Sequence, residues 1–341
     1  MFDPSLRHAL DTLLVDVDQA QIVDAARFLS AHYRSGCFTD HGRPVLDRLH
    51  NAYAYAAVRM PATYAALRAA LNAVRDHVEF APRTHFDVGG GTGAAVWAAA
   101  AVWPGIASRV LEQSPAAVAV GRELLACSSL SPAEWIRGDV NLPWPAADLV
   151  SMSYVLGELP DPARVVERAA AVAGTVVVVE PGTPGGFERI LAARDAFIRH
   201  GLRIAAPCPH MSTCPMQGSS GWCHFAARVD RAALHRIAKA GTRNYEDEKY
   251  AYVVATRSPV NPAASRVVGR PAYGRNRVDL RLCRSDRRIA RAVIPKSAAD
   301  YKEARRLGWG SPWSGSNSAA DELDVTGLRE GPGRSQADID Q

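Results

Sequence analysis

The chain has 341 residues, 48% of them hydrophobic and 22% charged, with a formal net charge of +5. That is apolar material for one large or two ordinary domains, and it excludes a chain disordered throughout. The longest apolar stretch, Ala94 to Trp103, is Ala-rich, ends at Pro104 and falls short of the roughly 20 residues a membrane helix needs, so no membrane partner is expected.

The N-terminal segment carries acidic residues and no small-residue cleavage site behind an apolar core, so no export signal and a cytoplasmic location are expected. Ile22, Ala25, Ala26 and Leu29, then Tyr53, Ala57, Met60, Tyr64 and Leu67, recur at helical spacing and predict a helical region over 1–80. Pro61 is expected to start a new helix or kink the old one. From His85 the period changes. Short apolar runs predict strands at His85–Val88, Arg109–Glu112, Glu134–Gly138, Ala147–Met152 and Thr175–Glu180, with a helix at Ala94–Val102 after the first. Strands alternating with helices imply a parallel sheet covered on both faces. A helix over about Phe187–His200, a Cys-rich insertion over about 205–228 and a strand at Tyr250–Thr256 complete a domain spanning 81–258. Residues 259–310 read as a small basic β-rich region and 311–341 as a disordered tail.

The first strand runs into Asp87-Val88-Gly89-Gly90-Gly91-Thr92-Gly93. Glycine lets backbone approach a ligand closely and accepts positive φ. Dinucleotide enzymes space these glycines as G-x-G-x-x-G to serve a pyrophosphate. Here Asp87, Gly89, Gly91 and Gly93 give D-x-G-x-G-x-G, which resembles class I S-adenosylmethionine methyltransferases. Glu112, closing the second strand, is placed to accept from ribose hydroxyls, and Asp139, after the third, resembles the residue that meets the adenine amino group. The fold class is therefore α/β, a class I methyltransferase Rossmann fold with S-adenosylmethionine as cofactor. No N-P-P-Y-like motif follows the fourth strand, where Ser151-Met152-Ser153-Tyr154 stands. Tyr154 and Glu158 either touch substrate or pack the next helix, and no catalytic residue is assigned.

Cys208, Cys214 and Cys223 crowd one loop, with Pro207, Pro209 and Pro215 stiffening it. Thiolates brought together call for a soft metal to neutralise them. With His210 or His224 they would make a Cys3His zinc site, although the spacings are looser than usual for zinc. With Cys283 from the basic region they would hold a 4Fe-4S cluster, and buried thiols without a metal are the third alternative. Cys37 and Cys127 stand alone and read as packed side chains. The usual Cys-x3-Cys-x2-Cys of radical S-adenosylmethionine enzymes is absent. Residues 228–310 hold 20 Lys and Arg against 8 Asp and Glu, an excess that fits a polyanion partner or a solvated basic face.

With these residues in view, the chain resembles the Rsm22-type small ribosomal subunit family. The likeness rests on Tyr53-Ala54-Tyr55 with Arg59-Met60-Pro61-Ala62-Thr63-Tyr64, the glycine turn, Pro207-Cys208-Pro209-His210, Cys214-Pro215, Trp222-Cys223-His224-Phe225, Tyr245-Glu246-Asp247-Glu248-Lys249-Tyr250 and Trp309-Gly310, over about residues 50–310. The resemblance implies a factor that associates with the ribosomal small subunit and its RNA, supports its assembly or translation, and binds no DNA. It also implies a 4Fe-4S cluster with ligands on Cys208, Cys214, Cys223 and Cys283, which would tie the basic region to the core. A ribosome-associated binding protein and an active rRNA methyltransferase both remain open. In the first, Arg275, Arg277, Arg281, Arg284, Arg287, Arg288 and Arg291 would meet phosphates.

Overall fold

A computed structural model describes residues 3–35, 39–40, 43–231, 233–238, 243–315 and 320–322. Helix α1 (Pro4–Leu13) opens on Asp3, whose carboxylate accepts from the backbone N–H groups of Ser5 and Leu6. After α2 (Gln19–Ser35) and a short ribbon of β1 (Thr39–Asp40) and β2 (Arg43–Pro44), α3 (Leu49–Ala54) passes through a π-helical turn at Tyr55–Arg59 into α4 (Met60–His77). Pro61 stands just inside α4; lacking an N–H, it cannot bond back to Ala57, and the wide turn before it absorbs that loss without a break.

The central sheet starts with five parallel strands: β3 (Thr84–Val88), β4 (Ala107–Glu112), β5 (Glu134–Arg137), β6 (Ala147–Ser153) and β7 (Ala173–Pro181). Helices α5 (Ala94–Val102), α6 (Pro115–Ala126) and α7 (Pro162–Val172) join them, and α8 (Pro184–Arg199) follows. Then come β8 (Arg203–Ala206), β9 (Phe225–Asp230), the short α9 (Ala233–Ala238) and β10 (Tyr245–Thr256). The spatial order is β5-β4-β3-β6-β7-β10-β8, with β9 also on β10. β10 runs antiparallel to both β7 and β8. Order and reversed strand together make the Rossmann-like methyltransferase fold.

Alternate valines of β7 explain the two cores. Val177 and Val179 join the core that includes Leu67, Leu71 and Trp97 from α4 and α5, whereas Val176 and Val178 join Val166, Ile190 and Phe197 from α7 and α8. A strand buried on both faces carries an unbroken apolar run. The helical N-terminal segment is thus one covering layer of the sheet: α4 packs on β7, β8, β9 and β10.

Three strands differ from expectation. β8 and β9 flank the Cys-rich loop, where 205–228 reads as insertion, because Ile204-Ala205-Ala206 is too short for any period to register. β10 begins at Tyr245, since its charged first half pairs with β9 and only its second half is buried.

A second sheet, ordered β15-β11-β13-β14-β16 with β12 on β13, is built from β11 (Ser265–Val267), β12 (Ala272–Tyr273), β13 (Arg277–Arg284), β14 (Ile289–Pro295), β15 (Pro312–Trp313) and β16 (Ala320–Glu322). The one-turn α10 (Tyr301–Ala304) covers its core of Val267, Val278, Leu280, Leu282, Ile294 and Trp313. Of the segment expected to be a tail, Pro312–Trp313 and Ala320–Glu322 belong to this sheet, and 316–319 and 323–341 lie outside the described residues.

Candidate functional site

The glycine turn, Glu112 and Asp139 stand at the carboxyl ends of three adjacent parallel strands, beside the point where strand order reverses. The N–H groups of Gly89 and Gly90 bond to the Leu111 carbonyl, and that of Gly138 to the Glu112 carbonyl, so the three ends are tied together. Gly89, Gly91 and Gly93 have φ of 66°, 55° and 89°, a region side chains rarely adopt. A Cβ on Gly91 would meet only the Tyr55 ring, at 3.7 Å, so the space above the turn is open.

Glu112 is buried, and its two oxygens accept from the N–H groups of Gly91 and Ser114, each at 2.8 Å. Asp139 is exposed and caps its own turn through the Asn141 N–H at 2.6 Å. Asp87 lies beneath the turn, fully buried, with one oxygen accepting from the Ser151 hydroxyl and the other without a hydrogen-bond partner among the described residues. Burial pushes its pKa up to about 7. His85 below it bonds to Ser108 and Ser151, and burial pushes its pKa down to about 4.

The cleft beside the turn carries residues that periodicity did not mark. Arg59, at the end of the π-helical turn, makes a two-pronged pair with Glu248 of β10 at 2.8 and 3.0 Å. The Tyr154 hydroxyl donates to the same carboxylate at 2.9 Å, and the Arg59 guanidinium lies 4.9 Å from the Tyr154 ring centre. Tyr154 has φ 56°, a strained conformation for a side-chain-bearing residue. Glu158 ends the short 3-10 turn Leu156–Glu158 after β6; desolvation of its carboxyl, then the charges of Glu112 and Glu180, pushes its pKa up to about 8. Glu180 itself is paired with Arg189 at 2.6 Å. The π-helical turn that carries Arg59 is the kind of local irregularity that concentrates at functional sites.

Cys208, Cys214, Cys223 and Cys283 line one cavity between the central sheet and the second sheet. Phe187, Ile190 and Arg194 of α8, Tyr252 of β10, Val268 and Ile289 complete much of its wall. Including space open to solvent, it measures about 590 Å³. Burial, then the neighbouring Cys208, pushes the Cys214 thiol up to about 11 and the Cys283 thiol well above its usual value; Cys223 shifts the same way for the same reasons. His210 reaches the cavity too, its Nε2 3.8 Å from the Cys283 sulfur. His224 instead stacks on Trp222 and meets the edge of Trp309. Among the described residues no three His, Cys, Asp or Glu side chains are arranged to hold a metal ion. Cys127 is half-buried against the main core, and Cys37 lies outside the described residues.

Along β13 the alternation sends Val278, Leu280 and Leu282 into the second core and puts Arg277, Asp279, Arg281 and Cys283 on the opposite face. Arg291 stands directly across from Arg281 on β14. Asp279 pairs with Arg277 and Arg291, and Asp286 with Arg284 and Arg288. Among the described residues Arg275, Arg281 and Arg287 make no salt bridge, and no helix is long and apolar enough to cross a membrane.

Comparison with known proteins places this geometry in a family. The chain is 30% identical over 285 residues to the human protein named ribosome assembly protein METTL17, mitochondrial, covering 75% of this chain and 61% of that protein. It is 24% identical over 180 residues to the fission yeast Rsm22-cox11 tandem protein 2, mitochondrial, covering 40% of this chain and 24% of that one. The chain therefore spans less than two thirds of the length of either relative. Among solved structures, a precorrin-6y C5,15-methyltransferase from Geobacter metallireducens matches 56% of this chain and 88% of its own, at 13% identity and a TM-score of 0.39. The expected cytoplasmic location does not stand, because the human and fission yeast relatives are both named mitochondrial. The model of the family described as mitochondrial small ribosomal subunit Rsm22 matches residues 49–314, and the chain belongs to that family.

Proposed function

We propose that this chain supports assembly of the ribosomal small subunit, with an S-adenosylmethionine-binding body and an arginine-bearing second sheet joined by a 4Fe-4S cluster on Cys208, Cys214, Cys223 and Cys283. The observation that carries this is the convergence of four thiols, from two sides of one apolar cavity, in a member of the Rsm22 family. A four-thiol donor set in an apolar enclosure suits a cluster. When bound, the cluster supplies iron–thiolate bonds that crosslink the Cys-rich loop to β13. Arg277, Arg281 and Arg291 share a sheet face with Cys283, so the same staple orients a basic surface for RNA phosphates. The open space above Gly91, with Glu112 beside it, supports S-adenosylmethionine as the ligand of the cleft.

Anaerobically purified protein should be brown, with iron and sulfide near about four each per chain. Stoichiometric zinc in colourless protein would sink the cluster and favour a site completed by His210. A second reading, an active rRNA methyltransferase, is favoured by the strained Tyr154 and the raised carboxyl of Glu158 in the segment that follows β6. Nucleoside mass spectrometry of small-subunit RNA from cells with and without the protein separates the two: a methylated nucleoside lost with the protein establishes the enzyme.

A further inference from the structure

The cavity that gathers the four thiols also gathers two buried arginines. Arg194 of α8 has 2% of its side chain exposed. It donates through Nη2 to the carbonyls of His210 and Ser212, at 3.0 and 2.7 Å, and through Nη1 to Asp195 at 3.3 Å. Its Nε has no hydrogen-bond partner among the described residues, and the Asp195 side chain is 43% exposed, so solvent screens that pairing. Arg266 of β11 is 3% exposed. Its donors go to the Pro207 carbonyl at 2.9 Å, the Gly310 carbonyl at 3.0 Å and His77 Nε2 at 3.0 Å. His77 Nδ1 faces the Asn261 carbonyl at 3.1 Å and must donate there, so its Nε2 is a neutral acceptor. Among the described residues no carboxylate forms a salt bridge with Arg266. Two guanidiniums are thus held out of water at the edge of a thiol-lined cavity, Arg266 against carbonyls and a neutral ring and Arg194 against carbonyls and one solvent-screened carboxylate.

Buried charge is costly without an opposite charge nearby. An oxidised 4Fe-4S core on four thiolates is a dianion overall, and two guanidiniums balance it. We infer that Arg194 and Arg266 are the counter-charges of the cluster, setting its reduction potential while their hydrogen bonds hold the loop that bears its ligands. The inference rests on the cluster reading above. The carbonyls they grip belong to Pro207, His210 and Ser212, beside or between Cys208 and Cys214, so each arginine positions the loop and charges the cavity at once. One-electron reduction adds negative charge to the cluster, and a neighbouring cation favours that state. Removing the cation therefore lowers the potential.

The test compares holoprotein with Arg194→Gln, Arg194→Lys, Arg266→Gln and Arg266→Lys, reading iron and sulfide content and the midpoint potential from a mediator titration followed by electron paramagnetic resonance. Each Gln variant that keeps its cluster should favour the oxidised form about tenfold more than wild type, which for one electron is about 59 mV. Lys should restore most of that shift, since it keeps the charge and loses the fork. Gln variants that lose iron while Lys variants retain it support the same conclusion. Unchanged potentials in loaded Gln variants overturn it, as does equal loss of iron from Gln and Lys variants. Wild-type protein holding zinc and no iron removes the cluster itself, an outcome distinct from both.

Discussion

Asp87 and His85 are joined through Ser151 in a buried hydrogen-bonded chain, and burial drives each toward its neutral form. Their pH signatures oppose one another. A carboxyl raised from 3.8 to about 7 contributes stability that is full below 3.8 and is lost as pH rises through about 7. An imidazole lowered from 6.5 to about 4 contributes stability that is full above 6.5 and is lost as pH falls through about 4. Asp87→Asn removes only the alkaline loss. Its melting temperature relative to wild type should therefore rise by a few degrees between about pH 5 and pH 8, each kcal/mol being worth about 1–2 °C in a chain of this size. A difference that stays flat across that range, followed by calorimetry, would show that Asp87 ionises freely in the folded protein. The acidic residue at the strand end was visible in the sequence because the glycine turn follows it at once. That it points down into the sheet was not, since only the hydroxyl of Ser151, 64 residues on, decides its direction.

At the scale of elements, the π-helical turn, the segment just after β6 and β10 meet through Arg59, Tyr154 and Glu248. Each residue alone looks ordinary. Sequence periodicity places Tyr55 to Tyr64 on a helix and Tyr250 to Thr256 on a strand, but it carries no information that positions 189 apart form one ion pair. The glycine turn with Glu112 was legible for the opposite reason: consecutive parallel strands put their carboxyl ends side by side whatever else the chain does. Removing either partner of the pair should destabilise, and removing both should cost less than the sum. Thermal or urea denaturation of Arg59→Met, Glu248→Gln and the double variant should return a coupling of about 1 to 3 kcal/mol. Strict additivity would mean that the pair does not lock the π-helical turn to β10.

For the whole molecule, the two sheets meet across the cavity that Cys283 enters from β13. If the cluster fixes the arginine face, Cys283→Ser should weaken binding to small-subunit RNA, because unordered arginines lose more entropy on meeting phosphates. Affinity for S-adenosylmethionine should hardly change, since Gly91 and Glu112 stand at the far end of the central sheet from the second one. Filter binding across a salt series, with calorimetry for the cofactor, checks both, and equal RNA affinity at every salt concentration would refute the link. The second sheet's basic composition was plain from sequence. Its arrangement was not, because the strand order depends on pairings between separate segments and one edge strand, with Trp313, lies in a stretch whose Ser and Gly content reads as unfolded.

The position of β10 has a consequence for a chain made from its N-terminus. β7, β8 and β9 all pair with β10, so until residue 256 has been synthesised those strands present unsatisfied edges. The loop bearing Cys208, Cys214 and Cys223 is made during that interval, before the strand that closes the sheet exists. Vectorial synthesis thus leaves the three thiols in a nascent chain with a vacant slot, and a release or pause before Tyr245 would expose sticky edges and reactive sulfur together. Fragments ending there should aggregate, whereas fragments ending after Thr256 own every backbone partner the central sheet requires.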